Sequence, residues 1–145
     1  MIRLFTIGFT KKTAEKFFGL LRDARVTRVI DTRLNRKSQL AGFAKEQDLK
    51  FLVPTVCNAD YVVEPTLAPT DDILSAYKKR TMGWEQYSEE FLRLLESRQI
   101  ENKLGRSLFD GACLLCSEDK PHHCHRRLVA EYLKQRWGDI EIHHL

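Results

Sequence analysis

Long hydrophobic runs are missing from this 145-residue chain. No stretch approaches the ~18 consecutive apolar residues of a membrane helix. The N-terminus, Met1-Ile2-Arg3-Leu4-Phe5-Thr6-Ile7-Gly8, lacks the long apolar core and small-residue cleavage site of a secretory signal. We therefore expect a cytoplasmic protein with no membrane contact. The spaced glycines of a dinucleotide fingerprint are absent, as is a glycine-rich phosphate loop ending in Gly-Lys. A cysteine-phosphatase loop, a serine-hydrolase elbow and kinase motifs are missing too, as are internal repeats, linkers and low-complexity tracts. These absences exclude several standard nucleotide and hydrolase chemistries. They also leave one ordinary domain over residues 1–145.

Charge of one sign is also in short supply. Lys and Arg number 24 against 20 Asp and Glu, a net charge of +4. That excess permits an anionic partner without requiring one, and the oligomeric state stays open. Hydrophobic residues at 43% and charged residues at 30% are a globular balance. Cysteines are few, at Cys57, Cys113, Cys116 and Cys124. In a reducing compartment their number does not imply disulfides, yet three of them fall within one short segment.

The pattern along the chain alternates strands and helices. Ile2–Ile7 reads as a first strand that Gly8 breaks. Thr13 can cap a helix to about Asp23 whose buried stripe is Phe17, Phe18, Leu20 and Leu21. Val26–Asp31 is apolar at nearly every residue, as in a strand covered on both faces. Arg33–Gly42 is polar and basic and reads as a loop, followed by a short helix from Phe43 to Leu52. Tyr61–Pro69 holds two prolines and looks extended and irregular. Thr70 or Asp71 can cap a helix to about Arg80. A longer helix spans Trp84–Glu101, with Tyr87, Phe91, Leu94 and Leu95 at helical spacing. Gly111–Cys116 is a clear strand. Pro121–Arg136 is the last helix, with Pro121 in its first turn and Leu128, Val129, Tyr132 and Leu133 facing the core. Gly138 ends it before a final strand, Ile140–His143. Such alternation predicts an α/β domain with a mostly parallel sheet flanked by helices.

In open α/β sheets ligands bind at the carboxyl ends of strands, and three ends here carry unusual residues. Thr6-Ile7-Gly8-Phe9-Thr10 ends the first strand, where Thr6, Gly8 and Thr10 are candidates to meet a substrate, although a plain turn explains the glycine. Asp31-Thr32-Arg33 ends the second. Asp31 and Arg33, two residues apart, point the same way; they form a local ion pair, or Arg33 holds an anion by a planar two-point contact. The third end is the densest, from Cys113 through Cys116, Glu118 and His122 to Cys124-His125-Arg126. A helix start offers free N–H groups and a positive dipole end, which favour a thiolate at Cys124 and a nearby anion. Cys113 reads as a buried core residue, while Cys116 suits either a core or a site role. Glu118, Cys124, His125 and Cys116 are the catalytic candidates, with Arg126 joining Arg33 in substrate binding. We expect these groups, with Asp31, to line one pocket, in which Glu118 ion-pairs with Arg126 or Arg33. Cys113 and Cys116 have the spacing of a zinc knuckle, but an odd separation on a strand sends them to opposite faces. No metal or other cofactor is expected.

These motifs resemble a known family, the bacterial and archaeal proteins grouped as domain of unknown function 488. The resemblance rests on Thr6-Ile7-Gly8, Asp31-Thr32-Arg33 and Cys116-Ser117-Glu118 followed by Cys124-His125-Arg126. The family usually continues its opening motif with His and Ser, where Phe9 and Thr10 stand here, and writes Asp-Val-Arg for Asp31-Thr32-Arg33. The resemblance implies an α/β fold and the same site residues. The functional expectation is an enzyme acting on an anionic small molecule, a nucleotide or nucleic acid. A non-catalytic nucleic-acid- or protein-binding module and a zinc-binding domain are the alternatives. For the nucleic-acid module, Lys11-Lys12, Arg33–Lys37 and Lys78-Lys79-Arg80 would meet phosphates, and Tyr77 or Trp84 would stack on bases.

Overall fold

A computed structural model describes residues 1–37 and 42–145. The part of the expected loop Arg33–Gly42 between those two spans lies outside the described residues. The elements are β1 (Ile2–Gly8), α1 (Ala14–Asp23), β2 (Arg28–Asp31), α2 (Glu46–Cys57), β3 (Asp60–Val63), α3 (Asp71–Lys78), α4 (Trp84–Arg98), α5 (Ile100–Lys103), α6 (Arg106–Phe109), β4 (Ala112–Cys116), α7 (His125–Trp137) and β5 (Ile140–His144). Short 3₁₀ turns cover Gly42–Ala44 and Pro65–Leu67. The five strands form one all-parallel sheet in the order β3-β2-β4-β1-β5. The expected parallel α/β architecture is therefore present.

Burial on both faces explains the apolar strands. Along β4, Ala112 and Leu114 pack with α4 and α7, through Phe91, Leu95, Val129 and Leu133. Cys113 and Leu115 pack on the other face with α1 and α2, through Phe17, Leu21, Leu49 and Val53. Thr13 caps α1 as expected, accepting a hydrogen bond from Lys16 N at 3.1 Å. Within its stripe Phe17, Phe18 and Leu21 are buried, while Leu20 is half-buried.

Several boundaries differ from the sequence reading, each for a local reason. Val26 is not in β2: its N–H bonds Leu21 O and that of Arg25 bonds Arg22 O, so both residues close α1, with Arg25 left-handed at φ 56°. The helix expected over Phe43–Leu52 is α2, which runs through Pro54 to Cys57 and stops where Asn58 turns left-handed at φ 53°. Pro54 is exposed, so water can satisfy the carbonyl that its missing N–H abandons. The stretch read as irregular contains the edge strand β3, which pairs with β2 from Arg28↔Asp60 to Asp31↔Val63. The helix expected over Trp84–Glu101 ends at Arg98, because Gln99 is left-handed at φ 52°. Pro121 is not in the first turn of α7. It begins a turn in which Cys124 N donates to Pro121 O at 3.3 Å, and Cys124 is the N-cap of the helix.

The topology places the site. From β2 the chain crosses by α2 to the edge at β3, and from β4 it crosses by α7, on the opposite face, to the other edge at β5. β2 and β4 are neighbours whose connections diverge. A crevice opens beyond their carboxyl ends at such a switch point, the usual ligand position in open α/β sheets.

Candidate active site

That crevice is occupied by the segments after β2 and β4. It is a cavity of about 120 Å³ lined by Arg33 and Asn35 from the first segment and Cys116, Glu118, Cys124 and His125 from the second. Tyr77, Tyr87 and His123 also line it. Among the expected site residues, Arg33, Cys116, Glu118, Cys124 and His125 are therefore brought together. Asp31 and Arg126 do not line the cavity but hydrogen-bond to residues that do, Arg33 and Cys116, and Thr6 and Gly8 are buried away from its lining. Thr10 lines a separate surface depression with Glu118, Asp119, Lys120 and His122.

Arg33 is held by a buried frame. Its Nε donates to Asp31 Oδ1 at 2.9 Å and its Nη2 to Asp31 Oδ2 at 2.8 Å. The Tyr61 hydroxyl donates to the same Asp31 Oδ2, and burial pushes the Tyr61 pKa up. The guanidinium lies over the Phe9 ring, 5.2 Å from its centroid. Phe9 thus supplies a flat apolar support. Arg33 is only 4% exposed, and its Nη1 is a buried donor with no hydrogen-bond partner among the described residues. The local ion pair and the free donor coexist, because a carboxylate uses only one edge of the fork.

Arg126 has the opposite character. It is fully buried, and its guanidinium is spent on the protein. Nε donates to Thr6 Oγ1 at 3.2 Å, Nη1 to Glu118 O and to Cys116 Sγ at 3.2 Å, and Nη2 to Asp119 O at 3.3 Å. Burial lowers its pKa to about 10, which leaves it a cation at neutral pH. The residue ties the β4–α7 loop to β1 and faces the sulfurs from below. Glu118 meets Arg126 through its main-chain carbonyl. Among the described residues its carboxylate pairs with neither arginine, so the expected ion pair is not formed. Gly8 is needed at this clamp: a Cβ there would lie 1.5 Å from Glu118 O. The space that the missing side chain leaves is filled by the loop, not by a ligand. Thr10 and Thr6 serve the same assembly. Thr10 donates to Ser117 O, and Thr6 Oγ1 accepts from Arg126 and lies in hydrogen-bond contact with His144 Nδ1 at 2.6 Å.

His125 is the first residue of α7 and is fixed by β2. Its Nε2 lies 2.8 Å from Thr32 O and 3.0 Å from Thr32 Oγ1. A carbonyl only accepts, so Nε2 carries the proton and Nδ1 keeps a lone pair. Burial lowers the His125 pKa to about 4, with the hydrogen bond to Thr32 O opposing the shift. The ring is therefore a neutral base at physiological pH. Beside it the Sγ atoms of Cys116 and Cys124 are in bonding contact, with α-carbons 7.5 Å apart. Sequence spacing did not suggest this pairing; the meeting of a strand end with a helix start creates it. Cys113 faces the other side of the sheet, buried, and burial raises its pKa. The expected separation of Cys113 from Cys116 is what the strand shows.

Sequence reasoning missed Thr32 and Tyr61 as positioning residues. Thr32 sits inside a recognised motif, and its alternation with Asp31 and Arg33 points it toward α7. Nothing in the sequence ties Tyr61 to Asp31, because that contact depends on β3 pairing with β2.

The family description "Domain of unknown function DUF488" matches residues 13–133. The chain belongs to this family. The match starts after β1, so Asp31-Thr32-Arg33 and Cys116 to Arg126 fall within it and Thr6-Ile7-Gly8 does not. No curated protein and no solved structure matches the chain. Among the described residues, no helix of this DUF488 protein is long and apolar enough to cross a membrane.

Proposed function

We propose that this DUF488 protein is an enzyme that binds the anionic group of its substrate at the β2–β4 crevice. The observation that carries the reading is Arg33. It lines the cavity, is locked by Asp31 and Phe9, and keeps a buried Nη1 donor without a protein partner among the described residues. Leaving a buried charged donor unpaired is costly, by about 1–3 kcal/mol or more, and an anion would remove that cost. The N-terminus of α7 adds positive dipole character beside it. A volume of about 120 Å³ suits a phosphate or carboxylate head group and not a whole nucleotide. The remainder of the substrate would extend past Tyr77, Tyr87 and His123, whose rings suit a planar or base-containing molecule. Glu118 serves as general acid or base at the cavity wall, and in the reduced protein a thiol of Cys116 or Cys124 beside the neutral His125 ring supplies the nucleophile.

Binding of inorganic phosphate, a nucleoside monophosphate and a short oligonucleotide, followed by calorimetry or Trp84 fluorescence, tests the reading. One charge-assisted contact is worth about 1.5–3 kcal/mol, so Arg33→Ala should weaken binding roughly ten- to hundredfold. Glu118→Gln should bind as the parent does and lose turnover of any substrate found. Equal affinity of the parent and Arg33→Ala for every anion would refute the proposal. Turnover undiminished in Glu118→Gln would remove its acid–base role.

A further inference from the structure

At the back of the cavity two thiols and an imidazole converge. The Cys116 and Cys124 sulfurs and one ring nitrogen of His125 lie within 4.8 Å of one another. The three groups come from two elements: Cys116 closes β4, while Cys124 caps α7 and His125 opens it. The α-carbons of the two cysteines are 7.5 Å apart, beyond the ~4.4–6.8 Å that a disulfide usually spans. Two Zn–S bonds of about 2.3 Å at a tetrahedral angle hold their sulfurs roughly 3.8 Å apart. The backbone spacing suits that longer bridge.

The surroundings are those of a ligand set. The Nε2–H of His125 is donated to Thr32 O, which orients the ring and leaves the other nitrogen its lone pair. Metal-bound imidazoles are characteristically held in this way. Arg126 Nη1 lies 3.2 Å from Cys116 Sγ and 3.8 Å from Cys124 Sγ, contacts that favour thiolates over thiols. All three ligand residues also line the cavity shared with Arg33 and Glu118.

We propose that Cys116, Cys124 and His125 bind one borderline-soft divalent cation of the zinc class, through two thiolates and the imidazole nitrogen that Thr32 leaves free. Both sulfurs bind as thiolates, any proton still on a thiol leaving to solvent, and the metal's fourth position opens on the cavity. Three protein ligands with an open fourth position is the pattern of catalytic zinc, not of structural zinc. The knuckle considered from sequence fails because Cys113 faces away, and this triad does not use it. The site stands independently of anion binding at Arg33, which is not a ligand, and it would replace the base and nucleophile roles of Cys116, Cys124 and His125 with metal ligation.

The experiment is a cobalt titration of the full chain, reduced with a phosphine, freed of metal by a chelator and kept without oxygen. The parent should bind one Co²⁺ with a near-ultraviolet thiolate-to-cobalt charge-transfer band and strong visible bands of a four-coordinate site, and Zn²⁺ should displace it. Cys113→Ser and Arg33→Ala should keep the spectrum, and Cys124→Ser should lose its charge-transfer intensity. An Arg33→Ala protein that binds cobalt but not phosphate would support both readings separately. Cobalt binding lost in a parent that still binds phosphate would overturn the metal site alone. The site is also overturned if the reduced parent, with all four cysteines reactive to a thiol reagent in an unfolded aliquot, shows no charge-transfer band. Two cysteines that stay unreactive in the unfolded aliquot after reduction, with no metal bound, would equally identify a disulfide and overturn it.

Discussion

Replacing Gly8 by alanine adds one methyl group, yet the structure predicts a large loss. The new Cβ would stand 1.5 Å from Glu118 O and 2.8 Å from Arg126 Nη1. Real contacts start near 3.0 Å, so Glu118 O must retreat by 3.0 − 1.5 = 1.5 Å. The atoms displaced are backbone and a fully buried guanidinium, not the end of a flexible side chain. Arg126 then loses its bond to Glu118 O, worth about 1.5–3 kcal/mol for a charged donor. Overpacking adds about 1–3 kcal/mol. The expected cost is roughly 2.5–6 kcal/mol, read by urea denaturation as a midpoint lowered by about 1–3 M for a slope near 2 kcal/mol/M. Gly19 provides the contrast. It lies within α1, and a Cβ there meets nothing within 4 Å. Gly19→Ala should stabilise the protein by up to about 1 kcal/mol through helix propensity. The reasoning fails if Gly8→Ala unfolds within about 1 kcal/mol of the parent, or if the two glycine variants shift the midpoint alike.

Other substitutions probe the same framework. Arg126→Met leaves the Glu118 and Asp119 carbonyls without their donor; limited proteolysis should cut within 117–122 sooner than in the parent, and unchanged protection would show that the clamp is unnecessary. Tyr61→Phe removes a hydroxyl that donates to the buried Asp31 carboxylate, and denaturation should report a loss of about 1–3 kcal/mol. Thr32→Val deletes the hydroxyl that donates to Leu115 O at 2.8 Å while keeping the carbonyl that holds His125. It should cost about 1–2 kcal/mol with the histidine ring signals nearly unmoved in NMR spectra, and a displaced ring would assign the hydroxyl a larger share.

Much of the fold is written in local patterns. The apolar runs of β1, β2 and β4, the Thr13 and Thr70 caps, and the helical stripes through Phe17 and Phe91 are each set by residues close in sequence. Those patterns determine an α/β alternation, and alternation with short connections leaves a parallel sheet as the natural solution. The sequence also marks which strand ends are chemically unusual, because Asp31, Arg33, Cys116 and Glu118 have no local reason to follow apolar strands. It cannot assign their tasks. Arg33 and Arg126 look alike as residues. Only the packed structure turns Arg126 into a buried clamp, with its donors spent on backbone and sulfur, and leaves Arg33 a donor to spare. The difference arises because strand order sets β2 beside β4, and because Gly8 lets the β4–α7 loop close over Arg126. Contacts between residues such as Tyr61 and Asp31, Thr32 and His125, or Cys116 and Cys124 depend on where distant segments are laid side by side. That is a property of the tertiary structure, since hydrogen bonds and ligand sets are fixed by distance in space and not by spacing along the chain.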